Sequence, residues 1–407
     1  MTAAATENEA PSDGPLAGLR VIEMGQLLAG PFCAQLLGDF GAEVIKLEQP
    51  GIGDPMREWG REKPHGRSLW WPVVARNKKS VTVNLRSEAG QAMVRRLAAT
   101  SDIVVENFRP GTLERWNLGY EDLVKVNPGI ILIRVTGFGQ TGPYASRAGY
   151  GSIGEAMGGL RYIVGDPSSP PSRMGISIGD SLAGTMAALG GLAAVHARET
   201  TGRGQIVDSA IYEAVLAFTE SLIPEYQVAG YIRERTGAII PNVAPSNVYP
   251  TADDQMILVA ANQDTVFVRL AEAMGRPELA TDDRYATHAA RGQTQVELDE
   301  MIAAWTGTLD SEALLEVLET HGVPAGHIYR APEMLEDPHF AARGSIATVP
   351  SEEFGDLRMQ NVAPHLSDTP GSIKWAGPPL GAHNDEILRG LLEMSDDEVE
   401  AIQATGG

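Results

Sequence analysis

A single cysteine, Cys33, leaves the chain without an intramolecular disulfide or a Cys-rich zinc site. It stands in the apolar stretch Gly30-Pro31-Phe32-Cys33-Ala34-Gln35-Leu36-Leu37 and reads as a small core residue rather than a reactive thiol. Positive charge is scarce too. With 32 Lys and Arg against 53 Asp and Glu, the formal net charge is −21, which excludes nucleic-acid or anionic-membrane binding through an overall positive field. No apolar run approaches the roughly 20 residues of a bilayer-spanning helix. Residues 1–15 have neither the basic start nor the apolar stretch of a signal peptide and are expected to form a disordered tail. A cytoplasmic location follows by default. There is no G-x-G-x-x-G after the first strand, no H-E-x-x-H, no G-x-S-x-G elbow and no Walker A loop, and the eight histidines are loosely spaced. No metal site is expected.

What is present is alternation. Short apolar strands are expected at residues 19–23, 43–48, 81–85, 103–106 and 130–135, with helices between them, including 31–39, stopped by Gly41, and 88–100. Such alternation predicts an α/β fold built on a doubly wound parallel sheet. An Ala- and Gly-rich helix is expected over 181–198, a strand and helix over 206–222, a linker and loop over 233–250, a smaller α+β stretch over 256–330, and a last amphipathic helix near 395–403. The domain reading is a tail to residue 15, a large domain over 16–227, linker and small domain over 228–330, and a return to the large domain over 331–407.

Ligands of doubly wound sheets bind beyond the carboxyl ends of the strands, here residues 24–29, 48–57, 107–111 and 136–142. Lys46, Arg57, Arg76, Lys78, Lys79, Arg86, Arg109 and Arg115 gather in this first part of an acidic chain. They read either as a solvated face or as partners for a polyphosphate ligand. Asn107-Phe108 reads as an amide and a stacking ring for a ligand, or as a turn and a core aromatic. Asp180, in Ser177-Ile178-Gly179-Asp180-Ser181, is either a helix cap or a carboxylate nucleophile beside a glycine that permits close approach.

Several motifs in series resemble the family III CoA-transferases, the group that includes formyl-CoA transferase and the α-methylacyl-CoA racemases. They are Ala29-Gly30-Pro31, Gly41-Ala42-Glu43-Val44-Ile45-Lys46-Leu47-Glu48, Gly53-Asp54-Pro55-Met56-Arg57, Arg76-Asn77-Lys78-Lys79-Ser80, Val105-Glu106-Asn107-Phe108-Arg109-Pro110-Gly111, Gly137-Phe138-Gly139-Gln140-Thr141-Gly142-Pro143 and Thr201-Gly202-Arg203-Gly204-Gln205, with Gly322-Val323-Pro324-Ala325-Gly326 and Asp337-Pro338-His339 further on. The resemblance implies a Rossmann-like large domain, a small domain and two interlocked ring-shaped subunits. It makes Asp180 the catalytic aspartate of a CoA transfer between carboxylic acids, with coenzyme A entering as an acyl-CoA. It places Gln26 and Ala29 near the pantetheine and thioester, Val83, Arg86, Asn107, Phe108 and Arg115 at the nucleotide end, and Gly137 and Phe138 along the ligand. Leu28 stands where formyl-CoA transferase has a shielding glutamine, which speaks against oxalate as acceptor. Tyr150-Gly151 stands where the racemases have His-Asp, which speaks against α-proton exchange. A non-catalytic acyl-CoA-binding protein is disfavoured by the retained Asp180. The stretch 149–160 and Arg233-Glu234-Arg235-Thr236-Gly237 look most like the branch that uses succinyl-CoA and dicarboxylates such as malate, citramalate, itaconate and glutarate. Tyr150 and Arg235 are then expected at the substrate, with Arg235 on the distal carboxylate.

Overall fold

The computed structural model describes residues 14–403, so the expected tail, apart from Gly14 and Pro15, lies outside the described residues. Six strands, β1 (Arg20–Glu23), β2 (Glu43–Glu48), β3 (Lys78–Thr82), β4 (Ile103–Glu106), β5 (Ile131–Thr136) and β6 (Ile206–Ala210), form one sheet. Their order is β3-β2-β1-β4-β5-β6 and every pair is parallel. The chain winds outward from β1 to β3, returns beside β1 as β4, and winds out the other way. The carboxyl ends of β1 and β4 therefore flank the switch point.

Strands this apolar must be covered on both faces. Ile22, Ile45, Val104 and Leu132 pack on one side with Met93, Val94 and Leu97 and with the carboxyl-terminal Ile387 and Leu388. Val21, Val44, Ile103, Ile131 and Ile133 pack on the other with Cys33, Ala34, Leu37, Ala183 and Ala187. Helices α1 (Ala29–Asp39), α2 (Glu88–Ala98) and α4 (Ile178–Thr201) supply these residues besides Ile387 and Leu388; α5 (Ile211–Leu216) adds Ile211 and Val215 to the second side, and α3 (Gly151–Met157) packs on α5. Small residues let α4 approach the sheet: a Cβ on Gly191 would stand 2.6 Å from Ile133, and one on Gly190 2.7 Å from Val207.

Three expectations need correction. Helix α4 spans 24 residues and is long and apolar enough to cross a membrane by length and composition, although no such run was expected. Its Ala183, Ala187 and Ala194 are buried against the sheet, while Leu189 and Leu192 are exposed. Strand β3 begins at Lys78 rather than 81, because Lys78 and Ser80 are buried polar residues inside it. Helix α1 begins at Ala29, so Pro31 occupies its third position rather than its first.

The chain forms two compact units. The first holds the residues through Arg161, Met174–Pro224 and those from His339 on, including a hairpin of β10 (Ile346–Ser351) and β11 (Gly355–Gln360). The second holds Tyr162–Arg173 and Glu225–Pro338. Its antiparallel sheet runs β7 (Ser246–Pro250), β8 (Met256–Ala260), β9 (Ala325–His327), so the last part of the expected 233–250 loop is strand. Its core centres on Tyr249, Phe267, Leu270 and Leu298.

Candidate active site

The turn from β1 into α1 is held from beneath by buried charges. Lys46 Nζ donates to Glu23 Oε1 at 2.6 Å and to the Gly25 carbonyl at 3.0 Å, and stands 2.8 Å from Asp54 Oδ2. Lys78 Nζ donates to the Pro31 carbonyl at 2.7 Å and makes a 2.8 Å ion-pair contact, outside hydrogen-bond alignment, with Glu23 Oε2. Asp54 Oδ1 accepts from the Leu27 N–H at 3.1 Å, fixing a residue with φ of 64°. The Asn107 side chain, at the end of β4, closes the switch point: its Oδ1 accepts from the Gln26 N–H at 2.8 Å and its Nδ2 donates to the Gln26 carbonyl at 2.7 Å. Two cations and two anions balance. Burial opposes the charge on Lys46, but Asp54 and Glu23 outweigh it and hold its pKa above the ordinary lysine value. Burial pulls Lys78 down, with Glu23 opposing, and pushes the neighbouring Cys33 thiol up to about 12.

The basic cluster thus splits in two. Lys46, Arg76 and Lys78 are at most 3% exposed and serve internal pairs, Arg76 with Asp39 at 2.6 Å. Arg57 joins them, bonded to Glu48 through Nε and Nη2 at 2.8 Å each and lying 3.7 Å over the Trp71 ring. These four are neither a solvated face nor free for a phosphate. Asn107 likewise has both ends of its amide committed to the backbone of Gln26.

Lys79 pairs with Glu43 and Glu386 at a partly exposed site. The remaining three basic residues, Arg86, Arg109 and Arg115, line a pocket of about 390 Å³ beyond the carboxyl ends of β1 to β4. Gln26, Val83, Arg86, Phe108 and Arg115, all expected at a ligand, meet there with Gln49, Arg109 and Trp116. Phe108 stands edge-on to Trp116 at 5.2 Å, which fixes the ring at the pocket wall. Arg86, Arg109 and Arg115 are exposed and give this one region positive charge in an acidic protein. Beneath them Glu106 accepts from the Phe108 N–H and from Arg134 Nε at 2.7 Å each, and Arg134 Nη1 reaches Glu114 at 2.6 Å. Burial raises Glu106 to about 7, with Arg134 opposing. Arg109 reads from sequence as one member of the basic cluster, and Trp116 is missed; the signal is its place eight positions after Phe108.

Asp180 is the third residue of α4, inside the first turn rather than at the cap, which is Ser177. One turn later, a Cβ on Gly184 would stand 2.7 Å from the Ala29 carbonyl and 3.1 Å from the Cys33 N, so α4 presses on the start of α1 and buries Ala29. Residues four apart share a helix face, and α1 and α4 both start at the carboxyl edge of the sheet. Asp180 therefore projects at that edge, one turn beyond Ala29. Its carboxylate lies on Gly151: a Cβ there would stand 2.2 Å from Oδ2 and 2.7 Å from Cγ. Gly151→Ala is expected to displace the carboxylate and lower turnover about 10²-fold, since a misplacement of about 1 Å costs that much; wild-type steady-state kcat in this variant would mean that the carboxylate need not stay where it is.

Gly137 and Gly149 meet backbone to backbone, a Cβ on Gly137 standing 2.8 Å from Gly149 Cα, and Phe138 lies against Gly149 and edge-on to Tyr144 at 6.0 Å. Tyr150 is 67% exposed at the start of α3. Arg235 lies in the second unit, where its Nη1 donates to the Tyr162 carbonyl at 3.1 Å and its guanidinium stands 5.6 Å from the Tyr162 ring. Among the described residues no group of three or more His, Cys, Asp or Glu is placed to hold a metal.

A doubly wound sheet, a basic and aromatic pocket at its switch point, and a carboxylate in the first turn of an adjoining helix make an α/β protein with a pocket suited to an anionic ligand. The chain belongs to CoA-transferase family III, whose model matches residues 16–384, and it is a CoA-transferase. It is 62% identical over 390 residues to the succinyl-CoA–D-citramalate CoA-transferase of Chloroflexus aurantiacus, covering 96% of this chain and 97% of that protein. It is 37% identical over 383 residues to the succinate–glutarate CoA-transferase of Agrobacterium fabrum, covering 93% and 96%. A crystal structure of a CaiB/BaiF family protein from Brucella suis superposes with a TM-score of 0.83 at 34% identity, covering 93% of this chain and 100% of that one.

Proposed function

We propose that the protein moves CoA from succinyl-CoA to a small dicarboxylate of the citramalate and malate type, with Asp180 as the covalent nucleophile. The observation that carries the reading is the Asp180 carboxylate seated on Gly151 at the carboxyl edge of the sheet. A bare glycine there supplies no second acid or base for α-proton exchange, whereas a carboxylate alone suffices for acyl transfer. The full-length likeness to the D-citramalate enzyme supports the choice of substrates.

An Asp180 oxygen attacks the succinyl carbonyl, forming a mixed anhydride and releasing CoA thiolate. The thiolate attacks the aspartyl carbonyl, giving aspartyl-CoA thioester and free succinate. The acceptor carboxylate then attacks that thioester, again releasing thiolate and forming a second anhydride. Thiolate attack on the acceptor acyl carbon gives the new CoA ester and regenerates Asp180. Arg86, Arg109 and Arg115 suit the phosphates of CoA and Phe108 suits its base, with Gln26 and Ala29 toward the pantetheine and Gly137 and Phe138 along the ligand. The working form is an interlocked homodimer in the cytoplasm. Exposed Leu189, Phe218 and Ile223, each more than half accessible, support a partner surface, and a lone free thiol suits a reducing compartment.

The test is CoA-ester formation with succinyl-CoA and a panel of acids, for wild type and Arg235→Ala. Dicarboxylates are expected to exceed their monocarboxylate analogues by at least about 10² in kcat/KM, and Arg235→Ala to raise the dicarboxylate KM about tenfold or more, the worth of one charged hydrogen bond. An Arg235→Ala enzyme with unchanged dicarboxylate KM would remove Arg235 from the substrate. Deuterium exchange at the α-carbon without any acceptor would move the protein to the racemases.

A further inference from the structure

The inward face of α3 consists of Gly151, Gly154 and Glu155, continued by Gly158, all buried, while Ile153 and Met157 face outward. This inverts the usual arrangement, in which a surface helix buries its apolar side chains. The glycines account for themselves by packing. A Cβ on Gly154 would stand 2.4 Å from Ile211, and one on Gly158 2.6 Å from Val215, so α3 sits directly on α5. Gly151 carries the Asp180 carboxylate. Glu155, one turn further on, is 3% exposed and is the charged residue on that face. Its Oε1 accepts from the N–H of Gly179, the residue before Asp180, at 3.4 Å, and its Oε2 accepts from Arg161 Nη2 at 2.8 Å. The approach is close along its length: a Cβ on Gly179 would stand 3.0 Å from Glu155 Cγ and 3.1 Å from the Gly151 carbonyl. One short helix thus meets the nucleophile's side chain through Gly151 and its backbone through Glu155.

We propose that Glu155, braced by Arg161, is a positioning residue that fixes the first turn of α4 and with it the Asp180 carboxylate. The proposal rests on the reading of Asp180 as the nucleophile. A carboxylate is costly to bury unless it is held by charge and hydrogen bonds; Arg161 supplies the charge, and the Gly179 bond falls on the residue before Asp180. Glu155 does not line the basic pocket, so its loss falls on acylation and not on CoA affinity.

The experiment follows growth of the aspartyl-CoA adduct by rapid-quench intact-protein mass after mixing with succinyl-CoA, alongside equilibrium titration with CoA. Glu155→Ala is expected to slow adduct formation about 10²-fold while CoA affinity changes by less than about twofold, the signature of a misplaced reacting group. Glu155→Gln keeps an acceptor for the Gly179 N–H and is expected to recover to within about tenfold of wild type. Wild-type acylation in Glu155→Ala overturns the proposal, as does a slowing matched by lost CoA affinity, or a glutamine variant as slow as the alanine one. Should the alanine variant not fold, Glu155→Asp decides: its shorter carboxylate retracts from Gly179, so slowed acylation supports the proposal and wild-type acylation sinks it. Absence of any adduct on the wild-type protein defeats the Asp180 reading and this proposal with it. An adduct that forms equally fast in wild type and variants defeats this proposal alone.

Discussion

Asp180→Asn is expected to abolish transfer, lowering kcat by at least about 10³-fold, as loss of a covalent nucleophile does, while CoA still binds. The asparagine has nearly the shape of the aspartate and can lie on Gly151 as the carboxylate does, but its amide oxygen is a poor nucleophile toward a thioester. Affinity for CoA should change little, because Arg86, Arg109, Arg115 and Phe108 line a pocket of which Asp180 is not part. Intact mass after mixing with succinyl-CoA should give a CoA adduct on the wild type and none on the variant. A CoA adduct on Asp180→Asn would place the nucleophile elsewhere in the chain. Loss of both adduct and CoA binding would mean that the substitution has disturbed the fold around α1 and α4, and Asp180→Ser would then separate charge from packing.

Much of this arrangement is legible before any coordinates. Strands such as Ile103–Glu106 and Ile131–Thr136 are short, mostly apolar and bounded by turn residues, so the parallel sheet follows from pattern alone. Where the pattern misleads, a buried charge is the cause. Lys78 and Lys79 fall outside the strand expected at 81–85, yet they open β3, because Lys78 has Glu23 to pair with across the sheet. The same blindness assigned Lys46 and Arg76 to solvent or to a ligand. Hydropathy cannot tell a lysine that meets a phosphate from one that meets a buried glutamate, since the difference lies in residues far away in sequence. Asn107 illustrates the converse: its place at the end of β4 was readable, but its use as a clamp on Gln26 depends on β1 and β4 being neighbours. Glu155 went unread because a single carboxylate among glycines carries no periodic signal. Its helix can be recognised only by noticing that the glycines at 151, 154 and 158 keep one face.

Lys46→Met is expected to be the most destabilising of the substitutions considered, by about 3–5 kcal/mol, the cost of removing one partner from a buried ion pair. Lys46 is 2% exposed and joins three groups at once: Glu23, Asp54 and the Gly25 carbonyl. Methionine fills the space but leaves two buried carboxylates to share Lys78. For a chain of 407 residues that loss corresponds to a fall of about 4–6 °C in melting temperature, at roughly 1.2 °C per kcal/mol. Lys79→Met is the matched control. Lys79 also pairs with two glutamates, Glu43 and Glu386, but at a partly exposed site where water replaces what is lost, so the change should stay near 1 kcal/mol or below. The pH dependence gives a second, independent readout. Asp54 titrates below its ordinary range: burial pushes it up, but Lys46 outweighs that. Its stabilisation is present above the unfolded carboxylate's pKa and is lost as pH falls through the lowered native value. Lys46 titrates above its ordinary range, so its share is present below the unfolded lysine's pKa and is lost as pH rises through the raised native value. Wild type should therefore lose stability at both extremes, and Lys46→Met should show flatter acid and alkaline limbs around a lower plateau. A variant that melts like the wild type with unchanged limbs would mean that the turn carrying Gln26 and Leu27 is held by Asn107 and Asp54 without Lys46.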